Sequence, residues 1–144
     1  MKSESVSSNW SAILALQRAT HATLHTLAVH LAQLDLTPSE INALANLADD
    51  RPKTVSELGA ATGTRPSTLT SVLDRLERRG HITRTARQGD RRSVVIQLTP
   101  QGQEAAATIH QAITDLEHRA LAAIPPATIE VLQTALQALT ETPE

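Results

Sequence analysis

Within residues 65–92 the 144-residue chain carries Arg65, Arg75, Arg78, Arg79, Arg84, Arg87, Arg91 and Arg92 against Asp74, Glu77 and Asp90, a surplus of five positive charges. The formal net charge of the chain is −2, so the remainder is acidic by seven. A guanidinium is a planar fork that bonds bidentately to phosphate oxygens or to the major-groove edge of guanine. Short hydroxyls are interleaved with these arginines at Ser67, Thr68, Thr70 and Ser71. Hydroxyls serve either bases or phosphates, so the stretch has the chemistry of a double-stranded DNA reader. Asp90, an acid among Arg87, Arg91 and Arg92, is expected to hold one guanidinium in a fixed pose and to leave the DNA alone.

Other chemistry is sparse. His21 and His25 stand one helical turn apart, and His110 and His118 follow later. A zinc-sensing histidine site can be drawn from them, but with no cysteine and no carboxylate at ligand spacing no metal is expected, and exposed or interfacial imidazoles are the plainer reading. The absence of cysteine also removes disulfides, thiol nucleophiles and thiol-based oxidant sensing. No phosphate-binding loop, dinucleotide fingerprint, zinc-protease helix or nucleophile elbow occurs, so no enzyme is expected.

The elements that must position these groups are mostly helices. Aromatic content is 1%, all of it Trp10, while Ala and Leu recur throughout, a composition that favours packed helices over sheets. Ile13, Leu16, Leu24, Leu27, Leu31 and Leu34 predict a first helix over 9–34. Thr37, Pro38 and Glu40 form a helix start with a capping box and predict a second helix over 38–48. After a polar connection at 49–53, Thr54 or Ser56 caps a short third helix, 55–62, which Gly63 ends. Thr64 is expected to cap a fourth helix, whose Leu69, Val72, Leu73 and Leu76 form a core stripe opposite Ser67, Ser71, Asp74 and Arg78.

Gly80 stops that helix, and the hydrophobic period changes. Val94, Ile96 and Leu98 alternate with polar neighbours and predict a strand, with 81–86 as its partner and 87–92 as the connecting loop. Thr99 and Pro100 open a fifth helix to about residue 123, Pro125 and Pro126 break it, and Ile129, Leu132, Leu136 and Leu139 mark a sixth. Two helices joined at a glycine turn and followed by a basic hairpin are the parts of a winged helix-turn-helix, in which one helix enters the major groove. Arg65, Ser67, Thr68, Thr70, Ser71 and Arg75 on the reading helix, with Arg84, Arg87, Arg91 and Arg92 on the wing, are the candidate DNA contacts. The terminal helices carry more apolar surface than such a head can cover, which points to a homodimer.

With these motifs in place the chain resembles the MarR (multiple antibiotic resistance regulator) family over residues 10–140. Val55-Ser56-Glu57-Leu58, Ser67-Thr68-Leu69-Thr70, Leu73-Asp74-Arg75-Leu76-Glu77 and Gly80 carry the helix-turn-helix pattern. Asp90-Arg91-Arg92 matches the wing signature and Leu98-Thr99-Pro100-Gln101-Gly102 the strand-to-helix junction. The resemblance implies a mainly α winged helix-turn-helix, with 37–98 as the DNA-binding region and 1–36 and 99–144 as dimerisation helices. It also implies a cytoplasmic repressor on a palindromic operator, released by a small-molecule effector. Trp10, Arg18, His21 and His25 are candidates to approach that effector. A departure is Arg87, where many members carry an acid. No bound cofactor and no membrane association are expected, and the contrasting reading is a winged helix that binds an acidic protein.

Overall fold

The computed structural model describes residues 11–87 and 89–142, and of Arg87, Asp90, Arg91 and Arg92 the backbone alone. Trp10 lies outside the described residues. The chain divides into two compact units, Met1–Ala112 and Ile113–Glu144.

Helix α1 (Ala12–His30) starts at Ser11, whose hydroxyl accepts the Leu14 N–H. It ends earlier than its apolar spacing predicts: Leu31 is the C-cap, a single 3₁₀ turn (Ala32–Leu34) follows, and Asp35 closes it in the left-handed region at φ 52°. Helix α2 (Pro38–Asn46) carries the expected capping box between Thr37 and Glu40. The connection after it is not wholly irregular, because Lys53–Thr54 form a short strand, β1. Thr54 then caps helix α3 (Val55–Thr62) in a second capping box with Glu57, and Gly63 terminates α3 at φ 65°.

Helix α4 (Pro66–Arg78) begins one residue later than expected, with Arg65 as its N-cap. The cause is Pro66: a proline ring drives the residue before it out of helical backbone, and Arg65 sits extended at φ −63°, ψ 145°. Leu69, Val72, Leu73 and Leu76 are all buried, as their spacing requires. They pack with Ile41, Leu44, Leu47, Leu58, Ile82, Ile96 and Ile109 in one core.

Strands β2 (Ile82–Arg87) and β3 (Asp90–Leu98) form an antiparallel hairpin, and β1 pairs with the other edge of β3, giving the order β1-β3-β2. The expected loop over 87–92 is thus mostly strand, with the turn reduced to the positions between Arg87 and Asp90. The register slips there: Ala86 faces Val94 but Arg87 faces Asp90. Arg91, Arg92 and Ser93 fall in the slip, which gives the wing tip the local twist of a bulge.

Helix α5 (Pro100–Ala120) leaves the sheet directly, with Gly102, Ala105, Ala106 and Ile109 buried, and continues into the second unit. That unit is completed by helix α6 (Pro126–Thr140). Neither α1 nor α6 has a buried residue. Ile13, Leu14, Leu24 and Val29 on α1 are exposed, as are Val131, Leu132 and Leu139 on α6.

Candidate nucleic-acid interface

The two faces of α4 have opposite characters. Its apolar stripe is buried, while Ser67, Thr68, Thr70 and Ser71 are exposed on the first two turns. The Thr70 hydroxyl donates to the Pro66 carbonyl at 2.9 Å and that of Ser71 reaches the Ser67 carbonyl at 3.5 Å. Such back-bonds are local resting partners that a hydroxyl rotor exchanges readily for a ligand atom. Arg65 is exposed and makes no side-chain cap bond, so the first-turn N–H groups of α4 present the positive end of the helix dipole outward. That end, with an arginine beside it, suits phosphate.

A cleft of about 680 Å³ lies between the start of α3, the start of α4 and β3. Thr54, Ser56, Thr64 and Ser93 supply hydroxyls around it, and Val55, Pro66, Leu69 and Val94 supply apolar walls. Thr64, Pro66 and Leu69, the chain neighbours of residues 65, 67 and 68, thus share this cleft with Ser93 and Val94 of the hairpin. Arg87, Arg91 and Arg92 lie on the backbone of the wing tip; their side chains, and that of Asp90, are outside the described residues.

The arginines at the other end of α4 have different surroundings. Arg84 sits opposite Ile96 in the hairpin, so by strand parity it shares the inner face with Ile82. Its Nη2 donates to Asp74 and to Glu77, both at 2.8 Å. These bonds tie the wing to α4. The carboxylates, Glu77 foremost, push the Arg84 pKa up, and the Arg84 bond holds Glu77 below the ordinary carboxylate value. Parity was the signal available in the sequence: Ile82 and Arg84 alternate in phase with Ile96 and Leu98.

Arg75 and Arg79 converge on Glu40, which is wholly buried, at 3.3 and 3.8 Å. Glu40 was legible only as a capping residue, although Arg79, seven residues after Val72, already falls in register with the buried stripe. His81 is also buried; burial first, and then the Arg79 charge, push its pKa down, against the pull of Glu40. Arg75, Arg78 and Arg79 line a recess of about 250 Å³ at the end of α4.

Of the residues expected to approach an effector, Arg18, His21 and His25 are exposed on α1, and their three- and four-residue spacing puts them on one face of that helix. None of them lines the cleft beside α4. Among the described residues no group of three His, Cys, Asp or Glu is placed to hold a metal, and no helix is long and apolar enough to cross a membrane.

A helix-turn-helix with an antiparallel three-stranded wing on a mainly helical chain defines the winged helix class. The chain matches the MarR family over residues 36–94. It is similar to an uncharacterised HTH-type transcriptional regulator, YcgE, of Bacillus subtilis (strain 168), with 38% identity over 63 residues, 44% of this chain and 41% of that protein. The HTH-type transcriptional repressor MdtR of the same strain is 36% identical over 67 residues, 46% of this chain and 43% of the repressor. The matched stretch thus spans about two-fifths of these relatives. The crystal structure of NadR in complex with 4-hydroxyphenylacetate superposes with a TM-score of 0.84 over 94% of this chain and 96% of that one, at 20% identity, a likeness of fold.

Proposed function

We propose that this protein is a homodimeric transcriptional repressor that reads a palindromic operator in double-stranded DNA and is released by a small-molecule effector. One observation carries the reading. The exposed hydroxyl face of α4, with Arg65 at its positive end, adjoins a hairpin bearing Arg87, Arg91 and Arg92, on a chain that is otherwise acidic. In this reading the first turns of α4 enter the major groove and the wing follows the backbone or an adjacent minor groove. The hydroxyl-rimmed cleft between them accommodates sugar and phosphate.

The exposed apolar residues of α1 and α6 support the dimer, because side chains of that kind are buried by a second copy in symmetric assemblies. Residues 1–36 and 99–144 are then the dimerisation helices and 37–98 the DNA-binding region, in a cytoplasmic protein. Two-fold symmetry of the protein dictates two-fold symmetry of the site. Support for an effector comes from the likeness in fold to NadR, solved with 4-hydroxyphenylacetate, and Arg18, His21 and His25 are the groups proposed to approach it. Support for repression comes from the named repressor among the relatives.

Selection of bound duplexes from a random DNA pool tests the proposal. An inverted repeat, bound with affinity that falls linearly in log salt, is the expected result. Recovery of no preferred sequence, or binding indifferent to salt, overturns it in favour of an acidic protein partner.

A further inference from the structure

The closing residues of α4 are tied to the chain that arrives from α1. Arg79 donates from Nη2 to the Leu34 carbonyl at 3.0 Å and from Nη1 to the Asp35 carbonyl. These two carbonyls end the 3₁₀ turn after α1, where Asp35 holds a left-handed backbone. The same guanidinium faces the buried Glu40 carboxylate at 3.8 Å, and Arg75, one turn earlier on α4, approaches its other oxygen at 3.3 Å. Glu40 is itself fixed by the capping box: the Thr37 hydroxyl donates to Oε1 at 2.9 Å and accepts the Glu40 N–H at 3.2 Å. His81, buried at the start of the wing, is close enough for both charges to act on its titration.

We infer that Glu40 and Arg79 are positioning residues for operator reading: they lock the angle of α4 to the α1–α2 turn and so set the distance between the two reading helices of a dimer. The inference rests on the dimeric DNA-binding reading above. Three features make the lock directional. Arg79 contributes a fork, which fixes orientation as well as distance. Its acceptors are main-chain carbonyls, so moving α4 requires moving the backbone after α1. Glu40 is wholly buried, and its two carboxylate oxygens face Arg75 and Arg79, so moving α4 would strip a buried carboxylate of its partners. A small rotation of α1 therefore reaches the base-reading turns of α4 through Arg79, and is not absorbed in the 3₁₀ turn. Neither Arg79 nor Glu40 lies among the first-turn residues that face bases, so their effect falls on geometry between half-sites and not on the bases within one.

The test uses the full chain and duplexes carrying the selected inverted repeat with its central spacer lengthened or shortened by one base pair. One base pair displaces and rotates the half-sites together, and the parent is expected to lose about tenfold or more in affinity. Arg79→Gln and Glu40→Gln are expected to narrow that penalty to about threefold or less, while single-base substitutions inside a half-site keep their parental penalties. Arg79→Lys, which keeps the charge and loses the fork, is expected to behave as Arg79→Gln. Both measurements are made where urea titration shows every protein fully folded, so lowered stability alone leaves the spacer preference intact. A variant with parental spacer penalties overturns the inference; a parent that shows no inverted-repeat preference overturns the DNA reading instead.

Discussion

Gly102→Ala is expected to destabilise this protein although alanine is the better helix former. Gly102 is buried in the first turn of α5. A Cβ at that position stands 1.9 Å from the His81 carbonyl oxygen, 2.9 Å from its carbon and 3.2 Å from Leu98 Cδ2. Carbon and oxygen settle no closer than about 3.3 Å, so the start of α5 must retreat from residue 81 by more than an ångström. The retreat breaks anchored backbone, because the Thr99 N–H donates to that same carbonyl at 3.0 Å and the Gly102 N–H to the Thr99 hydroxyl at 3.0 Å. Overpacking of this kind costs about 1–3 kcal/mol, and a buried hydrogen bond lost with it about 1 kcal/mol. The alanine returns about 1 kcal/mol of helix propensity. The net expectation is a loss of about 2 kcal/mol, or a Tm lower by about 4–8 °C for a chain of this size. Gly59→Ala is the internal control. Gly59 lies inside α3, and its added Cβ meets Leu69 Cδ2 at 3.4 Å, an ordinary contact, so propensity decides and the variant gains about 0.5–1 kcal/mol. Urea melts of the three proteins decide the matter, and a Gly102→Ala midpoint at or above the parent's refutes the steric argument.

Removing Arg92 is expected to weaken binding to all duplexes alike and to reduce the slope of log affinity against log salt by about one. Ser71→Ala instead loses about 1–3 kcal/mol of discrimination at particular base positions, and a uniform loss would move Ser71 to the phosphate class. For His81, burial favours the neutral imidazole in the fold. The unfolded chain takes up that proton near 6.5 and the folded chain only at lower pH. Stability is therefore full above that value, declines as pH falls below it, and levels off once pH passes under the folded-state pKa. Urea midpoints from pH 8 to 5 should show this decline in the parent and a shallower one in His81→Gln; equal slopes would refute it. Leu132→Glu, on an exposed apolar position of α6, should give monomers by sedimentation, and an unchanged assembly would remove α6 from the interface.

Much of the reading head was legible because its local signals agree with its tertiary ones. The 69, 72, 73, 76 stripe, the Thr37–Glu40 box and the Gly63 turn each depend on residues within one or two turns. What escaped the sequence depends on distant partners. Lys53–Thr54 is a strand only because Ile96 and Val95 lie opposite; its own two residues carry no pattern. The wing tip read as a loop because charged residues there show no apolar alternation, yet pairing extends through Arg87 and Asp90. The end of α1 at Leu31 was hidden by an apolar spacing that runs past it: Leu31 is buried in the reading head's core and Leu34 belongs to the turn. Within the candidate interface the exposed hydroxyl face followed from helical period, whereas the engagement of Arg75, Arg79 and Arg84 with carboxylates needed coordinates.

That engagement changes which charges a duplex would meet. Asp74 is exposed on the same helix face as Ser67 and Ser71, where an isolated carboxylate would repel a phosphate within a Debye length of about 8–10 Å. Arg84 bonds it and Glu77 together at 2.8 Å, so one guanidinium offsets half of the negative charge of this pair and neither carboxylate stands bare. On the proposed DNA-binding reading, Arg84 is expected to aid binding by masking Asp74 and not by a contact of its own. Arg84→Ala should weaken every duplex, as loss of a contact would, but the two causes separate when Asp74→Asn and Glu77→Gln are added. If masking is the role, the triple variant recovers most of the parental affinity, because no bare carboxylate remains. If Arg84 touches phosphate itself, the added neutral residues recover only the repulsive part, and the salt slope stays about one unit below the parent's.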